Sequence, residues 1–96
     1  MKITKKQDGS ALVIALEGRL DTTTAPELEA ELKTCLDGIT DLTLDLTNLD
    51  YISSAGLRVL LIMYKALDDK SQFKLVGTTD SVKEIMEVTG FDQFLL

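Results

Sequence analysis

Hydrophobic and polar positions change their period several times along the chain, and each change marks an element. Met1 to Gln7 reads as a short edge strand, and the Asp8-Gly9 dipeptide after it is a strong hairpin-turn signal. Ala11 to Leu16 (ALVIAL) is a nearly continuous apolar run closed by Glu17-Gly18, the pattern of a buried strand. Arg19 to Thr24 is a polar loop containing Asp21 and three threonines. A helix is predicted to start at Thr24. Thr24 can cap it, Pro26 is tolerated in the first turn, and Glu27 stands three residues after Thr24 as a capping box requires. Leu28, Leu32, Cys35 and Leu36 recur at helical spacing with Glu29, Glu31 and Lys33 opposite them, and Asp37-Gly38 ends the segment.

The stretch from Leu42 to Lys70 is the one around which the chain is organised. Leu42, Leu44 and Leu46 alternate with Thr43, Asp45 and Thr47, which predicts a strand. A polar turn is expected at Asn48 to Asp50, after which Ser53-Ser54-Ala55-Gly56 opens a long apolar helix. At 100° per residue, Leu57, Leu60, Tyr64 and Leu67 gather on one side and are expected to pack on the sheet. Arg58, Lys65 and Asp69 gather on the other, with Ile62 among them and therefore expected to be exposed. Phe73 to Val76 reads as a strand and Gly77 to Asp80 as a loop. A helix from about Ser81 to Thr89 carries the apolar stripe Val82, Ile85 and Met86. Gly90 is its stop, Phe91 is expected to fold back on the stripe, and Phe94 to Leu96 form a short last strand or an anchored tail. Strands alternating with helices after an initial hairpin predict an α/β fold. Its mixed sheet has a parallel core and about three to four flanking helices, and residues 1–96 form a single domain.

Composition narrows the function. Ninety-six residues that are 45% apolar suit one modest core. A formal charge of −6 argues against binding nucleic acid through phosphate contacts and suits a basic partner. One cysteine and no histidine exclude an internal disulfide and most metal sites, and fit a reducing cytoplasm. The opening MKITKKQDGS lacks the apolar core of a signal sequence, and the apolar run Val59 to Tyr64 is too short to span a bilayer.

The candidate chemistry sits where the central strand delivers two serines to a helix start, a place where α/β folds put working groups. A helix N-terminus has backbone N–H groups without intrahelical partners, and its macrodipole favours anions. Ser53 or Ser54 can cap those groups, and a phosphate on either would sit in a favourable field. Ser54 is thus a cap or a modification point. Asp45 is a solvated strand residue or a loop organiser, and Asp21 with Thr22 to Thr24 is turn chemistry or a contact. Gly56 is read as permitting close packing of helix on sheet. Cys35 belongs to an apolar stripe and has no base beside it, so it is read as a small buried hydrophobe. A serine hydrolase built on Ser54 would need an activating base. No histidine exists, and no pattern puts a lysine beside it.

The segment LDLTNLDYISSAGLRVLL, with GRLDTTTAPEL before it and a helix ending in TGF after it, resembles the STAS domain of sulfate transporters and anti-sigma factor antagonists. The resemblance spans almost the whole chain, whose size is similar to that of the stand-alone bacterial antagonists. Their motif is commonly Asp-Ser-Ser/Thr-Gly-Leu, with the serine after the aspartate phosphorylated. Laid on this chain, Ser53 takes the aspartate place and Ser54 the phosphoserine place, followed by Ala55, Gly56 and Leu57. The absent aspartate is a departure that bears on kinase recognition and leaves the acceptor hydroxyl in place.

The resemblance implies partner switching in the cytoplasm. The unphosphorylated form would bind an anti-sigma factor that is also a serine kinase and so release a sigma factor. Phosphorylation of Ser54 would end the complex, and a serine phosphatase would restore it. ATP and metal would belong to those partners, so this chain is expected to be neither an enzyme nor a cofactor carrier. The expected partner-binding set is Asp21, Ser53, Ser54, Gly56, Arg58 and Ile62. Neither nucleic acid nor membrane insertion is expected, and the chain is expected to be a monomer, with a dimer left open. The alternative is a STAS adaptor subunit of a transport or signalling assembly, without phosphorylation.

Overall fold

The computed structural model describes residues 1–67 and 72–90, with the backbone alone described at Lys33 and Cys35. The order of elements is β1 (Lys2–Asp8), β2 (Ala11–Leu20), α1 (Ala25–Cys35), β3 (Asp41–Ile52), α2 (Ser54–Ala66), β4 (Gln72–Val76) and α3 (Asp80–Thr89). The strands form one mixed sheet in the order β1-β2-β3-β4. The hairpin pairs β1 antiparallel to β2, and β2–β3 and β3–β4 are parallel. The α/β class, the hairpin start, the parallel core and helix starts near Thr24, Ser54 and Asp80 agree with the sequence reading. The roles expected for Asp69, Phe91 and Phe94 to Leu96 and for the Cys35 side chain lie outside the described residues.

Three sequence expectations change. The run ALVIAL alternates rather than being buried throughout: Leu12, Ile14 and Leu16 are buried, while Val13 is 39% exposed. In the register, Lys6, Val13, Thr43 and Lys74 share one row of the sheet, and none of these four is buried. The buried residues of the strands, together with those of the three helices, form the one core on the other face. Leu42, Leu44, Leu46 and Leu75 extend that core with no exposure at all.

The second change is at Asn48 to Asp50, which is strand and not turn. Relative to β2, β3 carries one extra residue between Asp45 and Asn48 and another between Leu49 and Tyr51. Each extra residue is a bulge that resets which face the next side chain meets. Leu46, Leu49 and Ile52 are therefore all buried at a spacing of three. A strand that breaks its own alternation looks like a turn when read from local pattern.

The third change is the facing of α2. Leu57, Leu60 and also Val59 and Met63 are buried, but Tyr64 is 46% exposed, with its ring centroid 6.0 Å from that of Phe73 on β4. Gly90 ends α3 in the left-handed conformation at φ 85°, as expected, with its N–H donating to the Met86 carbonyl.

Candidate functional site

The site forms where β2 and β3 end and α1 and α2 begin. The bulges carry Ile52 into register with Leu20, and the Ser53 N–H donates to the Leu20 carbonyl at 2.8 Å. The loop that starts at Asp21 is thereby fastened beside the start of α2. Asp21 and Ser54, 33 residues apart in sequence, each directly follow one partner of that bond, Leu20 or Ser53.

The two serines divide the work. Ser53 is the N-cap of α2, in extended conformation, and its Oγ accepts from the Gly56 N–H at 3.3 Å. Ser54 is the first residue of the helix and is exposed, and its hydroxyl makes no hydrogen bond among the described residues. One hydroxyl is used by the fold and the next is open to solvent.

Gly56 is buried, and the reason is contact. A Cβ there would lie 2.7 Å from Leu20 Cγ and 2.9 Å from Ile52 Cγ1. The close-packing role expected for Gly56 is therefore its structural role. Gly56 thus lets the start of α2 lie directly against Leu20 and Ile52.

Asp21 is the real cap of the α1 end. Its Oδ1 accepts from the Thr23 N–H at 3.0 Å, the Thr23 hydroxyl at 2.7 Å and the Thr24 N–H at 3.1 Å. The Ala25 N–H donates to the Asp21 carbonyl at 2.8 Å, so the first helical turn already runs from Asp21. The expected capping box at Thr24 does not form. The Thr24 hydroxyl instead accepts from the Asp21 N–H and donates to the Arg19 carbonyl, each at 2.8 Å. The Thr23 hydroxyl first, and then the Thr24 N–H, hold the Asp21 carboxyl at about 2, below its ordinary 3.8. Arg19 stands 3.9 Å from Asp21 and lies over the Tyr51 ring at 4.4 Å, a cation–π pair that sequence reading did not anticipate. No sequence period links them; the bulged register makes Arg19 and Tyr51 neighbours.

Arg58 is exposed and lines a cleft between α1 and α2 with Thr22, Pro26 and Glu29. Ile62 is only half-buried, not exposed, because it leans over a second apolar recess with Leu32 of α1 and Leu36 just after its end. Leu61, at 39%, is the exposed large aliphatic residue of this helix. Helical angles would have found it: Leu61 falls roughly 20° from Ser54 around the axis, and Ile62 roughly 80°. The outward stripe of α2 is Ser54, Arg58, Leu61 and Lys65.

Asp45 organises the other end of this region. It accepts from the Thr47 N–H at 3.1 Å and from the Thr47 hydroxyl, which lowers its pKa. Gly77, at φ 69°, passes so close that a Cβ would lie 2.2 Å from Thr47 Oγ1. Among the described residues no three His, Cys, Asp or Glu side chains are grouped to hold a metal ion, and no helix is long and apolar enough to cross a membrane.

Known proteins share this fold. The STAS domain family model matches residues 2–96. The chain is 40% identical over 93 residues to a putative anti-sigma factor antagonist, BtrV, of Bordetella bronchiseptica, covering 95% of this chain and 80% of that one. It is 31% identical over 84 residues to the anti-sigma-B factor antagonist of Staphylococcus aureus, covering 85% and 78%. In fold it is similar to the anti-sigma factor antagonist SpoIIAA in its unphosphorylated form, with a TM-score of 0.90 at 17% identity over 99% of this chain and 86% of that one. The Bacillus cell fate determinant SpoIIAA in the phosphorylated form gives a TM-score of 0.79 at 16% identity over 99% and 89%. With the family model covering nearly the whole sequence, and relatives of this identity beside it, the chain belongs to the STAS domain family.

Proposed function

We propose that the chain is an anti-sigma factor antagonist switched by phosphorylation of Ser54. The observation that carries this reading is the division between the serines: Ser53 is bound into the cap, and Ser54 stands exposed beside it with a free hydroxyl. The names of the two relatives support the antagonist role. The unphosphorylated form binds an anti-sigma factor with serine-kinase activity, using Ser54, Arg58 and the neighbouring Asp21 loop. In the transfer, the Ser54 Oγ forms a bond to the γ-phosphorus of ATP, and the bond from that phosphorus to ADP breaks. The hydroxyl proton passes to a base of the kinase. The product carries about −1.5 to −2 charges at a helix N-terminus, where the fold tolerates an anion. A partner surface closing over it has to desolvate that charge, so the complex is lost while the domain stays folded. A phosphatase then hydrolyses the ester. The working unit is a monomer of one domain in the cytoplasm, and it contributes no catalytic group.

The test starts with capture of partners from native lysate by the wild-type protein and mapping of phosphoserine by mass spectrometry. Wild type, Ser54→Ala and Ser54→Asp are then incubated with the captured kinase and ATP. Phosphate incorporation is expected for wild type alone, with weak binding by Ser54→Asp and persistent binding by Ser54→Ala. Phosphate on Ser53 at the wild-type rate in the Ser54→Ala protein would move the site by one residue. Equal binding by phosphorylated and unphosphorylated protein would leave a STAS adaptor.

A further inference from the structure

We propose that Arg58 is the internal counter-ion of a phosphate on Ser54, so that modification also withdraws this guanidinium from the partner-facing stripe. The inference rests on the Ser54 reading for its biological use, but not for its measurement. Ser54 and Arg58 are both exposed and four residues apart on one helix. Side chains at that spacing are neighbours, and the favourable order places the anion N-terminal to the cation. Helical Cα–Cβ bonds tilt toward the N-terminus, so the Arg58 side chain starts out aimed at the turn that begins with Ser54. The guanidinium also offers a planar fork that suits phosphate oxygens.

Arg58 is free to do this. Among the described residues the ion pairs are Lys2–Glu17, Lys5–Glu31 and Arg19–Asp21, and Arg58 is in none of them. The chain's other arginine, Arg19, is engaged with Asp21 and the Tyr51 ring. Arg19 and Tyr51 are exposed while their chain neighbours Leu20 and Ile52 are buried, so Arg19 points to the face of the sheet away from α2. Lys65 shares the stripe but lies roughly 16 Å along the axis from Ser54, too far to pair. Arg58 and Lys65 are the only charged residues of α2, a basic helix in a chain of net charge −6. A phosphate paired with Arg58 therefore cancels the positive charge of the stripe at the end where Ser54 stands. The other charged group lining the cleft is Glu29 of α1, which opposes the dianion, and Asp21 stands one residue before the lining residue Thr22.

The experiment installs phosphoserine at position 54 during translation and follows the phosphate by ³¹P NMR from pH 4 to 8. The proteins compared are the otherwise unchanged chain, Arg58→Gln, Arg58→Lys and Lys65→Gln. Asp21 and Glu29 are common to all four, so differences between them isolate the cation. The expected result is a titration midpoint about 0.3 or more higher in Arg58→Gln than in the unchanged chain, the size of a helical ion pair expressed as pH. Arg58→Lys should restore at least half of that difference, Lys65→Gln should leave the midpoint unchanged, and 0.5 M salt should shrink the gap. Circular dichroism checks that each variant remains folded. Equal midpoints in the unchanged chain and Arg58→Gln would overturn the pairing, as would an equal shift on removing Lys65. These outcomes do not depend on whether a kinase modifies Ser54, which the lysate and kinase assays decide separately.

Discussion

Gly56→Ala tests whether the start of α2 is held down by contact with the ends of the two central strands. The added Cβ would lie 2.7 Å from Leu20 Cγ, 2.9 Å from Ile52 Cγ1 and 3.0 Å from Leu20 Cδ2. Carbon atoms pack best at about 3.5–4.0 Å, so the helix start or both side chains have to yield by roughly 1 Å. Neither side chain has room: Leu20 is 0% and Ile52 1% exposed. The closest atoms are the branch carbon of Leu20 and a mid-chain carbon of Ile52, not flexible ends. Overpacking of this kind costs about 1–3 kcal/mol, and the upper end applies here. Alanine in place of a helical glycine gives back about 1 kcal/mol. The net loss is then about 2 kcal/mol, which for a domain of this size lowers Tm by roughly 10 °C. Urea and thermal unfolding followed by circular dichroism measure it. The partner substitution Leu20→Ala, alone worth about 2–5 kcal/mol, removes the crowded atoms, so the double variant should be more stable than the sum of the two by about 1 kcal/mol or more. A Gly56→Ala protein as stable as wild type, or strict additivity with Leu20→Ala, would refute the contact argument.

Three further outcomes follow from the site. Ser53→Ala should lose about 0.5–1 kcal/mol of stability by removing the α2 cap, while Ser54→Ala should stay within about 0.5 kcal/mol of wild type; equal losses in urea titration would undo the division between the serines. Ile62→Asp should destabilise by about 1–2 kcal/mol, because the half-buried side chain faces Leu32 and Leu36, whereas Leu61→Asp should be near neutral and is the better probe of partner binding. Asp21 has a folded-state pKa lowered from 3.8 to about 2, so its contribution is complete above pH 4 and is lost as pH falls toward 2. Asp21→Asn should accordingly flatten the acid limb of a Tm-against-pH curve in that window, and an unchanged limb would show that the Thr23 and Thr24 bonds do not act on stability.

Local chemistry determined the element order, and the reasons are short-range. The Asp8-Gly9 turn, the period-two run from Leu42 to Leu46, the serine pair and the Gly90 stop each act within a few residues of themselves, where backbone geometry and capping are set. The motif Ser53-Ser54-Ala55-Gly56-Leu57 likewise carried the family resemblance once set in its strand and helix with GRLDTTTAPEL before it. What tertiary structure decided is every matter of facing and register. The helix-free face of the sheet leaves Val13 exposed although its neighbours are as apolar as a fully buried strand. Two bulges turn Asn48 to Asp50 into strand, because the partner β2 supplies the register against which an extra residue counts as a bulge. Asp21, and not Thr24, caps the α1 end because the Thr24 hydroxyl is drawn to the Arg19 carbonyl. Ile62 is covered because α1 lies beside α2, and a helical wheel contains no neighbouring helix. The site itself depends on the bond between Ser53 and Leu20. That contact joins two segments separated by more than 30 residues, so it exists only once the sheet has formed.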